Sequence, residues 1–421
     1  MRLRGQVHQT IKMRIASAAA ISRTITHIAA IVMLAAGCAP LERQTSCPPC
    51  PVCPECPPSA KPVPAQARYE AVEFSALPGW PSAALASSLR AFVAGCERIQ
   101  SPGALRKSCD AAGAVIPDDE NGARRFFETA FSAFSIVAPD GSGEGLVTGY
   151  YEPILAGSRT RTDTHRFPVY GVPDDLVAVD LAVLYPDLRS FRLRGRIEGR
   201  RLVPYWSRAE IEHRTRAPDD TSGGLGAPVL AWVQDPIELF FLQIQGSGQI
   251  QLESGGRIRL GYADQNGHPY RSIGRHLVER GELKLEQASM QGIKAWALAN
   301  PEKLPEALNF NSSYVFFRVL DAVDGPIGAL GAPLTAGHSI AVDPRFIPLG
   351  APVFLATTYP LSAQPIERLM MAQDTGGAIR GALRADFFWG TGEAAGALAG
   401  RMGQQGRMWL LWPRGEPVPK L

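Results

Sequence analysis

The sequence predicts a mainly β protein with peripheral helices, of the α+β class, folded as two domains behind an N-terminal export and tether region. Three observations lead there. At roughly 150 residues per domain, 421 residues suggest two domains and a tail. The 42 glycines and 35 prolines exceed average usage and punctuate the chain too often for a coiled coil or helical solenoid. The last hundred residues carry short apolar runs separated by turn residues, the spacing of a barrel. The formal net charge of +3, from 43 basic and 40 acidic residues, lacks the basic excess of a nucleic-acid binder, so no nucleic-acid partner is expected. A hydrophobic content of 45% excludes a disordered chain.

The N-terminus reads as an address. Arg2, Arg4, Lys12, Arg14 and Arg23 precede a nine-residue apolar run at 28–36, long enough for a signal-peptide core and too short to span a bilayer. Residues 1–37 are therefore expected to be a signal peptide, with Met13 as an alternative start. Cys38 directly follows the apolar core and Gly37, resembling a bacterial lipobox, and is the expected lipidation site. Ala39, in place of an aspartate, favours the periplasmic face of the outer membrane. Residues 38–67 form a Pro-rich stretch with Cys47, Cys50, Cys53 and Cys56. Polyproline geometry makes it a semi-rigid spacer, with metal or redox chemistry at the four thiols as the alternative. Cys96 and Cys109 lie in the folded part of an exported chain and are expected to form a disulfide.

Helices are predicted at 82–99 and 120–135 from their apolar spacing, and at 271–280 (with Ser272 as N-cap), 287–299 and from Pro301 to about Asn309. Strands are predicted at 145–152, 228–234, 237–245 and 256–263. The C-terminal block adds strands at 313–319, 338–343, 352–358, 367–374 and 406–412 and a helix at 392–402. Residues 157–225 read as short strands and loops.

No nucleophile elbow, zinc-protease helix or phosphate loop is present, and the seven histidines show no metal spacing. Carboxylates remain. Asp343 and Asp374 end predicted strands, the usual place of turn-forming aspartates. Asp386 is followed by Phe387, Phe388 and Trp389, and apolar surroundings raise a carboxyl's pKa. A carboxyl kept protonated beside aromatic surface suits a glycosidic general acid. Gln243 and Gln245, alternating on a predicted strand before Gly246 and Ser247, and Tyr262, Asn266 and Tyr270 around a turn, are candidate sugar-binding groups. Tyr150 and Tyr151 point to opposite faces of a regular strand, so at least one belongs to the core; Tyr151 is the candidate for substrate. Gly376 and Gly377 permit close backbone approach to sugar or to a partner strand.

From Val147 to Trp412 the chain resembles the membrane-bound lytic transglycosylase A family, whose C-terminal part includes the three-aspartate domain. The resemblance rests on Thr148-Gly-Tyr-Tyr-Glu-Pro153, Phe241-Leu-Gln-Ile-Gln-Gly-Ser-Gly248, Leu260 to Gly274, Asn311 to Phe317, Asp343-Pro-Arg-Phe-Ile-Pro-Leu-Gly350, and Gln373-Asp-Thr-Gly-Gly-Ala-Ile379 followed by Asp386 and Gly390. It implies a double-psi β-barrel domain of residues 68–151 and 324–421. A smaller β-barrel domain, 152–323, is inserted in it, with a glycan groove between the two. It also implies cleavage of the β-1,4 bond between N-acetylmuramic acid and N-acetylglucosamine in peptidoglycan, with Asp386 catalytic.

In such a reaction the sugar's 6-hydroxyl attacks C1, so one carboxyl can protonate the leaving oxygen and then accept the hydroxyl proton. Asp386 takes that role, Asp374 is its partner, and Asp343 is assigned to the groove, more as framework than as a reacting group. No metal or organic cofactor is needed. Glycan strands and the outer membrane are the expected partners, with other wall-synthesising or wall-degrading proteins as candidates. A hydrolase using Asp386 and Asp374 with water, and a silent wall-binding lipoprotein, remain alternatives.

Overall fold

The computed structural model describes residues 66–99, 103–215, 225–321 and 325–420. The expected signal peptide, Cys38 and nearly all of the expected spacer lie outside these residues.

Strand β1 (Arg68–Val72) precedes helices α1 (Ala86–Cys96), α2 (Arg106–Ala112) and α3 (Glu120–Ala130). Strands β2 (Phe131–Val137) and β3 (Gly145–Glu152) follow, and the chain passes through Pro153 into β4 (Ile154–Ser158). Next come β5 (Phe167–Tyr170), β6 (Val177–Ala178), β7 (Arg194–Glu198), β8 (Arg201–Pro204), α4 (Arg208–Arg214), β9 (Val229–Val233) and α5 (Pro236–Gln245). The middle ends with β10 (Ser247–Leu252), β11 (Arg257–Gln265), α6 (Ile273–Glu279), α7 (Met290–Ala299), α8 (Leu304–Phe310) and β12 (Val315–Leu320). The C-terminal part holds β13 (Ser339–Val342), β14 (Pro352–Thr358), β15 (Pro365–Asp374), β16 (Ala385–Thr391), α9 (Glu393–Ala399) and β17 (Gly403–Pro413).

Two main sheets result. The first runs β1-β2-β17-β14-β15-β13-β16-β3. Because β17 also pairs with β3, six of these strands close into a ring. Closure is possible because β17 is long: its C-terminal half pairs with β2 and β14, and its start, Gly403–Gly406, pairs with β3. Two pairs in the ring, β13 with β15 and β16 with β3, are parallel and need the long connections seen in sequence. The second sheet, β12-β11-β10-β4-β9-β5, is formed wholly by the middle of the chain, as is the small sheet β6-β7-β8.

Helices α1 and α3 cover the first sheet through Phe92, Phe126 and Phe127, which stack with Phe131 at centroid separations of 5.0–6.3 Å. Cys96 and Cys109 are bonded, with Cα atoms 5.5 Å apart, and join α1 to α2.

Three expectations need correction. The helix expected over 120–135 stops at Ala130, and Phe131 opens β2, because the phenylalanine run serves both the end of the helix and the start of the strand. The segment 237–245, expected to be a strand, is helix α5. Asp235 caps it by accepting from the Ile237 amide at 2.9 Å, Pro236 occupies its first turn, and Gly246 ends it in the left-handed region at φ 76°. Its apolar residues face both ways. Leu239 and Leu242 pack on the second sheet, while Ile237, Phe240 and Phe241 pack on α6, α7 and α8. A helix buried on both sides has no polar stripe and so mimics a buried strand in sequence. Strand β16 was not anticipated, and it carries Asp386.

A buried ionic cluster joins the sheets where the chain crosses between them. Glu152, fully buried at the end of β3, accepts from Gln249 Nε2 at 2.8 Å and Thr391 Oγ1 at 2.7 Å, with Arg259 Nε 3.3 Å away. Arg259 Nη1 also donates to the Gly325 carbonyl on the returning chain. Removing one partner of a buried pair leaves the other charge uncompensated. Glu152→Ala is therefore expected to lower unfolding free energy by about 3–5 kcal/mol in urea titrations; a loss below about 1 kcal/mol would show that the cluster is dispensable.

Candidate active site

Neighbouring registers bring four residues into one row. Ala341 on β13 pairs with Asp374 on β15 and with Asp386 on β16, and Asp386 pairs with Thr148 on β3. Directly paired residues share a face of a sheet. The two aspartates are thus separated by two strand spacings, about 10 Å between backbones, with Ala341 on the strand between them.

Asp386 is partly buried. Thr148 Oγ1 donates to its Oδ1 at 2.6 Å and accepts from Arg384 Nη2 at 2.8 Å. Burial disfavours the carboxylate most strongly. The Thr148 hydrogen bond and the Arg384 charge oppose that, and the Asp374 charge adds to it, leaving the Asp386 pKa raised to about 6. Arg384, itself desolvated, is held below the usual arginine range.

Asp374 is shaped differently. Its Oδ1 accepts from the amides of Ala329 and Thr375, both at 2.9 Å. Burial still pushes its pKa up, against these two bonds, the Tyr150 hydroxyl and the Arg192 charge. The loop that supplies Ala329 packs tightly on β15: Leu330 donates to the Gln373 carbonyl, and a Cβ on Gly328 would lie 2.5 Å from that oxygen. Gln373, buried one residue before, donates to the Ala91 carbonyl at 2.9 Å and accepts from Ser339 Oγ. The base of the site is thereby fixed to α1 and β13.

A partly buried, protonatable carboxyl with a second carboxyl within electrostatic reach has the chemistry to give and take a proton. The residues around it match known patterns. Residues 146–318 match the MltA specific insert domain and residues 338–412 match the 3D domain. Membrane-bound lytic murein transglycosylase A of Escherichia coli K12 is 32% identical over 297 residues, which are 68% of this chain and 71% of that protein. This chain belongs to the MltA family of membrane-bound lytic murein transglycosylases, with a 3D domain. The crystal structure of MltA from Neisseria gonorrhoeae superposes with a TM-score of 0.72 at 42% identity, covering 83% of this chain and 94% of that one. A structure of Escherichia coli MltA with bound chitohexaose superposes with a TM-score of 0.58 at 28% identity, covering 79% of this chain and 90% of that one.

The remaining candidates fall into three groups on this MltA fold. Some belong to the framework. Asp343 is buried and paired with Arg345 (Nη2 to Oδ2 2.6 Å), and it accepts from the Gly381 amide at 2.8 Å. Burial opposes its ionisation, but these bonds outweigh it and hold its pKa below the ordinary value. Asn266 has no exposed surface: Nδ2 donates to the carbonyls of Trp206 and Ser312, both at 2.8 Å, and Oδ1 accepts from the Tyr314 amide. That amide is consumed by the framework, which corrects its assignment to substrate. Tyr151 is also core, with its ring against Gly396 on α9 and its hydroxyl on Met290 Sδ. Gln243 is buried within α5.

A second group is at hand but occupied. Gln245 Oε1 accepts from the Tyr151 amide at 3.0 Å, so it ties α5 to β3. Gly246 and Ser247 form the turn from α5 into β10. Gly376 and Gly377 form the turn after Asp374; Gly377 is exposed with open space about it, so it approaches no partner strand. A third group is accessible: Tyr262 lies under the exposed Arg192 guanidinium, 5.7 Å from it, and Tyr270 is 42% exposed.

Reading the sequence missed Thr148, Arg384, Arg192 and Tyr150. The Tyr150 side chain is buried with its hydroxyl enclosed against the Asp374 carboxyl, and burial, the two aspartate charges and that contact push the phenol's pKa well up. The parity of β3 held the signal, because Tyr150 shares a face with Thr148 and Tyr151 does not.

Because folding raises the Asp386 pKa above its ordinary 3.8, the native state binds its proton more tightly than the unfolded chain does. The wild-type chain therefore loses stability from this group as pH rises from about 4 to about 6. Asp386→Asn removes that loss. It is expected to be more stable than wild type by about 1–2 kcal/mol at pH 7 and not at pH 3.5, as judged by thermal unfolding at both.

Proposed function

We propose that this enzyme, a lytic transglycosylase acting on peptidoglycan, cleaves the β-1,4 bond between N-acetylmuramic acid and N-acetylglucosamine and leaves a 1,6-anhydromuramoyl end. Protonated Asp386 gives its proton to the glycosidic oxygen as the C1–O bond breaks. The muramoyl 6-hydroxyl attacks C1, and the Asp386 carboxylate takes that hydroxyl's proton, so the carboxyl ends as it began and no water is consumed. What supports this is the environment of one carboxyl. Burial holds Asp386 protonated up to about pH 6, while the Thr148 hydrogen bond and the Arg384 charge keep the ionised form accessible within a turnover. Asp374 contributes by its charge.

The closed six-strand ring supports a double-psi barrel built from residues 68–151 and 324–421, with 152–323 as the inserted domain and the glycan lying in a groove between them. Cys38 would carry the lipid that holds the enzyme at the periplasmic face of the outer membrane, and the Pro-rich spacer would let it reach the wall. Among the described residues no helix is long and apolar enough to cross a membrane. Wall turnover and remodelling is the role that fits.

Purified sacculi incubated with the chain from residue 67 onward, with products read by chromatography and mass spectrometry, are expected to release anhydromuropeptides; products heavier by one water would instead mean hydrolysis. Asp386→Asn is expected to lower the rate by about 10²–10⁴-fold. Wild-type kcat/KM is expected to fall as pH rises above about 6, because the acid form of Asp386 is then depleted.

A further inference from the structure

The small sheet β6-β7-β8, with the segment that joins β6 to β7, forms an arm apart from the two main sheets. It combines charge with exposed apolar surface. Residues 189–201 hold six arginines, Arg189, Arg192, Arg194, Arg196, Arg200 and Arg201, against Glu198 alone. Leu184 and Phe191 are 74% and 61% exposed, and Ile197 and Leu202, directly paired across β7 and β8, are 60% and 47% exposed. Large apolar side chains gathered in the open on one element mark an interaction surface.

Two of the arginines are already used. Arg194 Nε donates to both oxygens of Asp264 at 2.8 and 2.9 Å, which fixes the root of the arm to β11. Arg196 pairs with Glu198 and lies over the Trp206 ring. Arg192, Arg200 and Arg201 are exposed and make no ion pair among the described residues. Arg192 is held ready by Tyr262: its guanidinium lies 5.7 Å from the ring, and only Nη1 meets a partner, the Tyr262 hydroxyl at 3.5 Å. The remaining N–H groups form a fork that fits a carboxylate. The Arg192 charge is felt at Asp374, so the arm starts at the edge of the carboxylate row. From there β7 runs about 16 Å to the turn at Gly199 and Arg200.

A glycan strand at the row brings a ligand of matching chemistry and length. The muramoyl residues of peptidoglycan carry short peptides rich in carboxylates and alanine methyls, and a peptide of roughly four residues spans about 13 Å. Carboxylates suit the free arginines, and methyls suit the apolar face. A membrane surface also attracts basic and apolar side chains, but on this arm it would set lipid headgroups against the edge of the row, where the strand must enter. We propose that the arm recognises the acidic peptide borne by a muramoyl residue, with Arg192 taking its first carboxylate and Arg200 and Arg201 those farther out. This deepens the transglycosylase reading, on which it rests for the substrate, and makes the enzyme select peptide-bearing strands over bare glycan.

The test uses the full chain in an Asp386→Asn background, which blocks turnover. Its probes are soluble peptide-bearing glycan strands and the same strands stripped of peptide by an amidase, and calorimetry gives the ratio of the two affinities. Adding Arg200→Gln and Arg201→Gln is expected to lower the preference for peptide-bearing strands about threefold, and adding Arg192→Gln as well about tenfold. The melting temperature is expected to hold, because all three side chains are exposed. The preference is also expected to weaken with added salt, and to do so less in the triple variant. Equal affinity for the two probes, or none for either, before any arginine is changed would overturn the proposal. So would a ratio that the triple variant leaves unchanged. Loss of binding to phosphatidylethanolamine and phosphatidylglycerol vesicles, with that ratio unchanged, would overturn it in favour of a membrane contact. Wild-type products separate this from the broader reading: anhydromuropeptides with an unchanged ratio sink only the role of the arm, and hydrolytic products with a lowered ratio sink only the transglycosylase mechanism.

Discussion

Four adjacent strands hold their registers so that Asp374, Ala341, Asp386 and Thr148 fall in one row, and the proposed acid–base chemistry depends on that alignment. A slip of one residue in any pairing would turn a side chain to the opposite face of the sheet. Ring closure guards against such slips, because β17 pairs with β14 and with β3 and so fixes both sides of the ring. The Gln373 side chain, held by Ala91 and Ser339, pins the end of β15 where Asp374 emerges. The Glu152 cluster holds the second sheet to the same strand that carries Thr148 and Tyr150.

Within the row, the two aspartates are treated differently by their surroundings. Asp374 is tied to backbone amides on one oxygen and is in reach of Arg192 from the middle of the chain. Asp386 has a single short hydrogen bond from a hydroxyl, with Arg384 one step behind it. A hydroxyl can rotate its proton away and an amide cannot. The environment of Asp386 can thus adjust as its charge changes, whereas that of Asp374 stays set. This asymmetry is what a reaction with one acid–base group requires.

Much of this could be read from the chain itself, and the parts that could not share a cause. The aromatic residues after Asp386 signalled a desolvated carboxyl, and motif order pointed to the family. The strand that carries Asp386 was not evident, because Asp386 and Gly390 on either side of a three-residue aromatic run weaken a local strand signal. The partners Thr148 and Arg384 differ in kind: Arg384 lies two residues away in sequence, while Thr148 arrives through a parallel pairing more than two hundred residues distant, which no local pattern encodes. Asn266 misled because a buried amide and a sugar-binding amide look alike until their partners are known. Helix α5 misled because burial on both sides erased its period.

All of this rests on Asp386 being held protonated by burial in the intact fold. Carbon-13 NMR of the aspartate carboxyl carbons, titrated in the intact protein and in Asp386→Asn, tests it most directly. The account predicts one resonance that titrates near pH 6 and is absent from the variant. An Asp386 resonance that titrates near the ordinary carboxylate value, about 4, would contradict it.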